Sequence, residues 1–289
     1  MTNRYLRPVL DWYQRHARDL PWRRPTASPW AVLVSEIMLQ QTPVSRVLPA
    51  YGNWLTRWPT PTDLAAEPAG AAVRQWGRLG YPRRALNLHA TSRILVAHHG
   101  GEVPESWPEL LALPGIGHYT ASAVASFAFG QRHAVLDTNV RRVLSRLVVG
   151  TALPPRSVSV AETHLAESLL PAEPAVAARW SVAIMELGAL VCTTGRPECA
   201  RCPVASWCSW RRAGFPASGQ RTGGQRYEGT DRQCRGRLLA VLRRADGAVA
   251  KTELDRVWPD SAQRERALDG LVADGLAEPL ADGRYALPR

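Results

Sequence analysis

Cys192-Thr-Thr-Gly-Arg-Pro-Glu-Cys199-Ala-Arg-Cys202-Pro-Val-Ala-Ser-Trp-Cys208 is the stretch that decides how this 289-residue chain is read. Four thiolates this close in sequence meet only around something that binds them. A cubane iron–sulfur cluster takes four cysteine ligands. A structural zinc ion also takes four, but its cysteines usually fall into two short pairs separated by a longer loop. Here a single Cys-x-x-Cys has one further cysteine on each side. A disulfide framework fits poorly with a long chain and an odd fifth cysteine, Cys234. The spacing therefore points to a [4Fe-4S] cluster on Cys192, Cys199, Cys202 and Cys208. Cys234 reads as a small buried apolar residue.

Upstream of the cysteines, residues from Leu6 to about Ala189 read as helix after helix, which predicts an all-α body. Ser28 is placed to cap a helix from Pro29 through Glu36 to about Gln40. Thr42-Pro43 is expected to open the next helix in the same way. Apolar spacing of three and four recurs in Val44–Trp54, Ala85–Val96, Ala121–Phe129, Val140–Val148 and Val176–Leu190. Downstream, Arg211 to Thr230 is rich in Gly, Ser and Arg and reads as a linker. Beyond it, Asp231–Leu242, Glu253–Trp258 and Ser261–Leu271 read as helices, with Asp231 able to cap the first. Glu278–Leu280, the Asp282-Gly283 turn and Tyr285–Leu287 read as a hairpin. The expected division is a body over 1–210 with its cysteine loop at 192–208, a linker over 211–230, and a winged-helix-like module over 231–289. Such modules place their third helix in a DNA groove. That helix here carries Arg264, Glu265, Arg266, Asp269 and Asp274, and this mixed charge suits protein docking or clamping at least as well.

Formal net charge is +11, and arginine supplies nearly all of the positive side chains. Guanidinium groups grip phosphate with paired hydrogen bonds, which suits a nucleic-acid partner. An arginine-biased composition would give the same charge, so the motifs must carry the argument. No stretch is apolar for long enough to span a membrane. Met1–Pro8 lacks a signal-peptide core. A cytoplasmic, reducing setting is expected, and it suits thiolate ligands.

Leu113-Pro114-Gly115-Ile116-Gly117-His118-Tyr119-Thr120-Ala121 lies between predicted helices Trp107–Ala112 and Tyr119–Phe129. The glycines allow a sharp turn that brings backbone N–H groups close to a ligand. The following helix adds the positive end of its dipole. Gly115, Ile116, Gly117 and His118 thus form a candidate phosphate cradle, although an ordinary turn between helices has the same look.

The helix–hairpin–helix formed by Trp107–Ala112, the Leu113–His118 turn and Tyr119–Phe129, then Val135-Leu136-Asp137-Thr138-Asn139-Val140-Arg141-Arg142, then the cysteine loop, resemble the iron–sulfur DNA glycosylases of the endonuclease III superfamily, and so imply a helix-hairpin-helix DNA glycosylase fold. Leu20-Pro21-Trp22-Arg23, Ser35-Glu36-Ile37-Met38-Leu39-Gln40-Gln41-Thr42, Leu79-Gly80-Tyr81 and Asn87-Leu88-His89 resemble its MutY-type adenine branch. The resemblance covers about residues 5–210.

It implies a monofunctional glycosylase of base excision repair. Such an enzyme hydrolyses the bond between deoxyribose and an adenine mispaired with 8-oxoguanine or guanine, in double-stranded DNA, and acts as a monomer. Glu36 would protonate adenine at N7, in a setting where desolvation favours the neutral carboxyl. Asp137, equally readable as a helix N-cap, would face the oxocarbenium ion. Tyr119 and Asn139 would position Asp137, the sugar or water. Tyr119 stands where strand-cutting branches carry a Schiff-base lysine, and a phenol cannot form that bond. Gln41 and Tyr81 would wedge into the duplex, and Trp22, Arg23, Leu39 and Glu186 would line the adenine pocket. Trp22 is equally readable as core. The cluster would shape the loop carrying Arg196 and Arg201 toward the DNA backbone.

The chain departs from the family in several places. Nothing after Arg211 looks like the Nudix-like domain of longer members. Pro82 follows Tyr81 where a second aromatic is common, and Leu33 replaces a frequent aromatic. A thymine mismatch glycosylase of the same superfamily, and a non-catalytic iron–sulfur DNA-binding sensor, are the competing readings.

Overall fold

The computed structural model describes residues 3–218 and 227–289. Its helices begin with α1 (Leu6–His16), α2 (Pro29–Leu39), α3 (Val44–Arg57), α4 (Pro61–Ala65) and α5 (Ala69–Trp76). Next come α6 (Arg83–His98), α7 (Trp107–Ala112), α8 (His118–Phe129) and α9 (Thr138–Leu144). Then follow α10 (Val160–Leu169), α11 (Pro174–Leu190) and the single turn α12 (Ser209–Arg212). The final segment runs α13 (Asp231–Arg244), β1 (Val249–Ala250), α14 (Lys251–Asp255), α15 (Ser261–Ala273), β2 (Glu278–Pro279) and β3 (Arg284–Ala286).

Side-chain capping sets several helix starts. The Ser28 hydroxyl accepts from the Ala31 amide at 3.2 Å, so α2 begins at Pro29 as its sequence predicts. Ser159 and Glu162 form a reciprocal capping box on α10. Glu173 accepts from the Ala175 and Val176 amides at the start of α11, with Pro174 as its first residue. Two expected caps differ. α3 starts one residue after Pro43 with no side-chain cap. The Thr42 hydroxyl instead donates toward the Gln40 and Leu79 carbonyls and accepts from Arg84. On α13 the capping side chain is Thr230, which accepts from the Gln233 amide, and Asp231 is the first helical residue. The apolar run expected as helix over Val140–Val148 is α9 followed by a π turn at Ser145–Val149.

The chain forms two compact units. One comprises Met1–Leu33, Pro104–Ala112 and Ile116–Thr222. Its core packs Val9 and Trp12 of α1, Val140, Val143 and Leu144 of α9, and Trp180, Ile184 and Leu187 of α11. Partly buried Cys192, Cys202 and Cys208 pack against that core. The other unit comprises Val34–Val103, Leu113–Gly115 and Gly223–Arg289. Trp54 sits edge-on to Trp58 and Trp76, with ring centroids 4.6 and 5.7 Å apart. Leu64, Leu88 and Leu95 are fully buried in the same unit.

The C-terminal segment groups with residues 34–103 in one compact unit. Part of the linker expected at 211–230, residues 219–226, lies outside the described residues. Within the segment α13 packs on α15, and a small antiparallel sheet has the order β1-β3-β2. The hairpin expected at the end is present as β2 and β3, with Gly283 at φ +77° in its turn. β1 was not anticipated, since two residues carry no alternation to detect. Among the described residues, no helix is long and apolar enough to cross a membrane. Cys234 is fully buried, as its reading expects.

Candidate active site and DNA interface

Asp137 is the residue that ends the approach to α9 and starts the helix. Its backbone is extended and its carboxylate accepts from the Val140 amide at 2.6 Å, so it is the N-cap. Its second oxygen accepts from the Asn139 side-chain amide at 2.7 Å. Burial pushes the Asp137 carboxyl above its ordinary value, against the opposing pull of those hydrogen bonds and of the Arg142 charge. Two elements crowd this helix start. Gly188 of α11 lies so close that a Cβ there would stand 2.7 Å from the Asn139 Cβ. Arg142, itself buried, donates to the Asn139 side-chain oxygen, the Gly188 carbonyl and the Cys192 carbonyl, each at 2.7 Å. A continuous path of hydrogen bonds therefore runs from the first cysteine through Arg142 and Asn139 to Asp137. Tyr119, half-buried, is the second residue of α8 in the same unit.

Glu186 is fully buried on α11. Its carboxylate accepts from the Arg18 backbone amide at 3.1 Å, from the Arg18 guanidinium twice at 2.7 Å, and from Arg23 at 2.7 Å. Burial alone would raise its pKa, but the Arg18 and Arg23 contacts outweigh it and bring it down to about 2. Expected as a pocket wall, Glu186 is thus a fixed anion whose bonds position Arg23. Arg18 was not singled out in the sequence. Trp22, next to Arg23, is buried at 5% exposure, in keeping with its reading as core.

The other unit holds Glu36, Leu39, Gln41 and Tyr81. Glu36 is buried at 5% exposure on α2. Gln41 and Tyr81 both take left-handed backbone conformations, φ +53° and +46°, which cost non-glycine residues about 1–2 kcal/mol each. One side chain ties the neighbours of Gln41 to the turn at Tyr81. Arg84 is buried, and its guanidinium donates to the carbonyls of Ile37, Met38 and Gln40 at 2.8, 3.0 and 2.6 Å. It also donates to the Thr42 hydroxyl at 3.0 Å and the Gly80 carbonyl at 2.9 Å, and it lies over the Trp76 and Tyr81 rings. Arg84 therefore closes the C-terminal end of α2 and fixes the turn that carries Tyr81. Burial pulls its pKa down to about 10. Tyr81 itself is 52% exposed.

The hairpin begins with Gly115 at φ +73°. A side chain there would also collide with Asn87 of α6. Thr91 of α6 donates to the Pro114 carbonyl at 3.1 Å. Gly117 is different from what the sequence suggests: its φ is −97°, and a Cβ would meet nothing within 4 Å. It caps α8 without a side chain, leaving the helix start bare on its outer side. Ile116 is buried, while Gly117 and His118 are exposed.

The four cysteines of the loop are free thiols, each partly exposed. Two short turns, Cys199–Arg201 and Ala205–Trp207, carry them. Arg146, 3% exposed, donates to the Thr193 carbonyl at 2.7 Å and reaches the Cys192 sulfur at 3.4 Å. Among the described residues, no three His, Cys, Asp or Glu side chains stand close enough to hold a metal ion as they are. The thiol of Cys202 is pushed up to about 11, chiefly by burial and further by Cys192, Cys208 and Cys199. A soft four-thiolate donor set backed by a buried cation fits an iron–sulfur group.

Lysine is the scarcest basic residue: Lys251 is the single one in the chain. It is held by Asp255 and Glu265 at 2.7 and 2.5 Å.

The HhH-GPD superfamily base excision DNA repair protein family matches residues 34–167. An adenine DNA glycosylase of Mycobacterium tuberculosis is 51% identical over 97% of this chain and 92% of its own length. A thermostable thymine-DNA glycosylase structure superposes with a TM-score of 0.65 at 28% identity, covering 72% of this chain and 95% of that one. An endonuclease III trapped as a covalent DNA intermediate gives 0.62 at 25% identity, covering 75% of this chain and all of that one. The chain belongs to the MutY-type adenine DNA glycosylases of the HhH-GPD superfamily, enzymes of base excision repair that act on N-glycosyl bonds in DNA.

Proposed function

We propose that the enzyme hydrolyses adenine from pairs with 8-oxoguanine or guanine and leaves an intact abasic site. The observation that carries this reading is Asp137, a carboxylate oriented by the Val140 amide and the Asn139 side chain at the start of a helix. With the adenine swung out of the duplex, Glu36 gives a proton to N7 and the base becomes a neutral leaving group. The bond from C1′ to N9 breaks, and its electron pair stays with the base. Asp137, ionised, faces the positive sugar until water adds at C1′ and releases a proton. Tyr119 and Asn139 position the sugar, the water and Asp137. Trp22, Arg23, Leu39 and Glu186 form the adenine pocket, Glu186 acting through Arg23. Gln41 and Tyr81 fill the duplex, Tyr81 beside the opposite base. Gly115, Ile116, Gly117 and His118 grip a phosphate through backbone N–H groups and the α8 dipole.

The reaction stops at the abasic site because no lysine is available to attack C1′: Tyr119 occupies the position in the hairpin, and Lys251 is tied to two carboxylates. Cys192, Cys199, Cys202 and Cys208 would hold a [4Fe-4S] cluster, which supplies cross-linking of the loop and no electrons, since hydrolysis transfers none. The protein acts as a monomer on double-stranded DNA.

The test is a panel of duplexes carrying A:8-oxoguanine, A:G, T:G and an oxidised pyrimidine, each incubated with enzyme and then treated with alkali. Cleavage at adenine only after alkali is the expected result. Cleavage without alkali would overturn the monofunctional assignment. Release of thymine from T:G in place of adenine would return the reading to the thymine branch.

A further inference from the structure

We infer that residues 227–289 brace the turn that presents Tyr81 and thereby set how strictly the enzyme selects the base opposite adenine. This rests on the reading of Tyr81 given above.

Charge argues against a second DNA-binding domain. The whole chain carries +11, yet residues 227–289 hold eleven basic and eleven acidic side chains, so all of the net charge lies upstream. The basic groups of α15, the helix that would enter a groove, are already engaged. Arg264 donates to Asp255 at 2.9 Å and to the Trp258 carbonyl at 2.7 Å, and Arg266 stands 3.6 Å from Asp231. A neutral, self-paired surface gains little from phosphates.

The contacts within the unit show what the segment holds instead. Arg74 of α5 donates to the Arg243 and Ala245 carbonyls, and Arg243 donates in return to the Val73 carbonyl at 2.9 Å. The Gly70 amide donates to the Pro288 carbonyl at 2.6 Å. A Cβ on Gly70 would lie 2.5 Å from that oxygen and 2.8 Å from the Leu287 Cβ, so only glycine permits this approach. On the far side of the turn, Asp274 pairs with Arg83 at 3.4 Å and with Arg235. The segment therefore grips α5 before the turn and α6 after it. Between those grips, Gly77, Gly80 and Tyr81 all take positive φ, at +54°, +85° and +46°. The glycines take these angles freely, but Tyr81 does not, and its strained backbone persists only when its surroundings hold it. Arg84 holds it from within, and the C-terminal segment holds the two helices that flank it.

The experiment compares the full-length enzyme with Gly70→Val, Asp274→Ala and, as a control on the exposed hairpin, Arg284→Ala. Amide exchange needs no DNA and is read first. We expect exchange over residues 77–84 to accelerate at least tenfold in Gly70→Val, less in Asp274→Ala, and not in the control. On DNA we expect single-turnover rates on A:8-oxoguanine to stay within about twofold while the preference over A:G falls at least fivefold. Adding Gly70→Val to Tyr81→Ala should cost no further selectivity, because both act through the same side chain. If exchange rises at residues 284–288 but not at 77–84, or if the two substitutions are additive in selectivity, the brace is refuted. Should Gly70→Val fail to fold, Asp274→Ala combined with Arg243→Met carries the same measurements. Failure of the wild-type enzyme to release adenine would instead refute the function proposed above, whatever the exchange data.

Discussion

Under the proposed mechanism Glu36 and Asp137 carry opposite demands: one must hold a proton and the other must be without one. Glu36→Gln removes the proposed proton donor with little change in shape. It should leave duplex affinity intact and lower the single-turnover rate by about 10²–10⁴, the range of a general acid. Anisotropy and rapid quench check the two halves. Asp137 gives a signed pH prediction. Its carboxyl is raised by burial and pulled back by the Asn139 hydrogen bond. The acid limb of the rate profile should therefore lie above the ordinary aspartate range, with activity lost as pH falls through it. Asn139→Ala removes a lowering influence, so the limb should move further up in pH, beyond any drop in the plateau rate. A limb that stays in place would disconnect Asn139 from Asp137.

Between elements, close approach decides the geometry. Gly188→Ala puts a methyl group against the Asn139 Cβ, where 2.7 Å separates the two positions. Overpacking of this kind costs about 1–3 kcal/mol, and because it displaces the start of α9 the rate should fall more than stability does. Thermal melts and single-turnover kinetics on one preparation test this. The tie from the Arg18–Arg23 segment to α11 predicts a different pH response. The Glu186 pKa is depressed from 4.5 to about 2, so its contribution is complete above the ordinary value and is lost as pH falls between them. Glu186→Ala strands two cations and should cost about 3 kcal/mol, the low end for a buried pair because Arg18 is a third exposed. Urea unfolding at pH 7 and pH 3 should show the gap between variant and wild type narrowing at the lower pH.

Across the whole molecule, the cysteine loop is both a candidate cofactor site and part of a hydrophobic core, since Cys192, Cys202 and Cys208 pack on it. Cys199→Ser should abolish visible absorbance and open residues 193–208 to protease, while the fragment from 227 onward stays protected. The sequence made much of this plan legible. The helices with strong apolar spacing, the Ser28 cap, the hairpin and the cysteine spacing all carry local patterns. What it concealed is of another kind. Arg84, Arg142 and Arg146 bind backbone carbonyls, and a carbonyl is present at every residue, so no spacing announces the pairing. In a chain this rich in arginine, three buried ones look like any others. Gly188 reads as a weak point in α11 until its neighbour is known. The grouping of 227–289 with 34–103 was hidden because reciprocal carbonyl contacts between distant segments leave no periodicity.

The N-cap at Asp137 has a consequence for inhibition. Its oxygens are already held by the Val140 amide and the Asn139 side chain, so under the proposed mechanism a cyclic amine shaped like deoxyribose and positively charged in the ring would meet a partner that needs no ordering. Such a compound should bind most tightly where the carboxyl is ionised and the amine protonated, and lose affinity in acid before the protein unfolds.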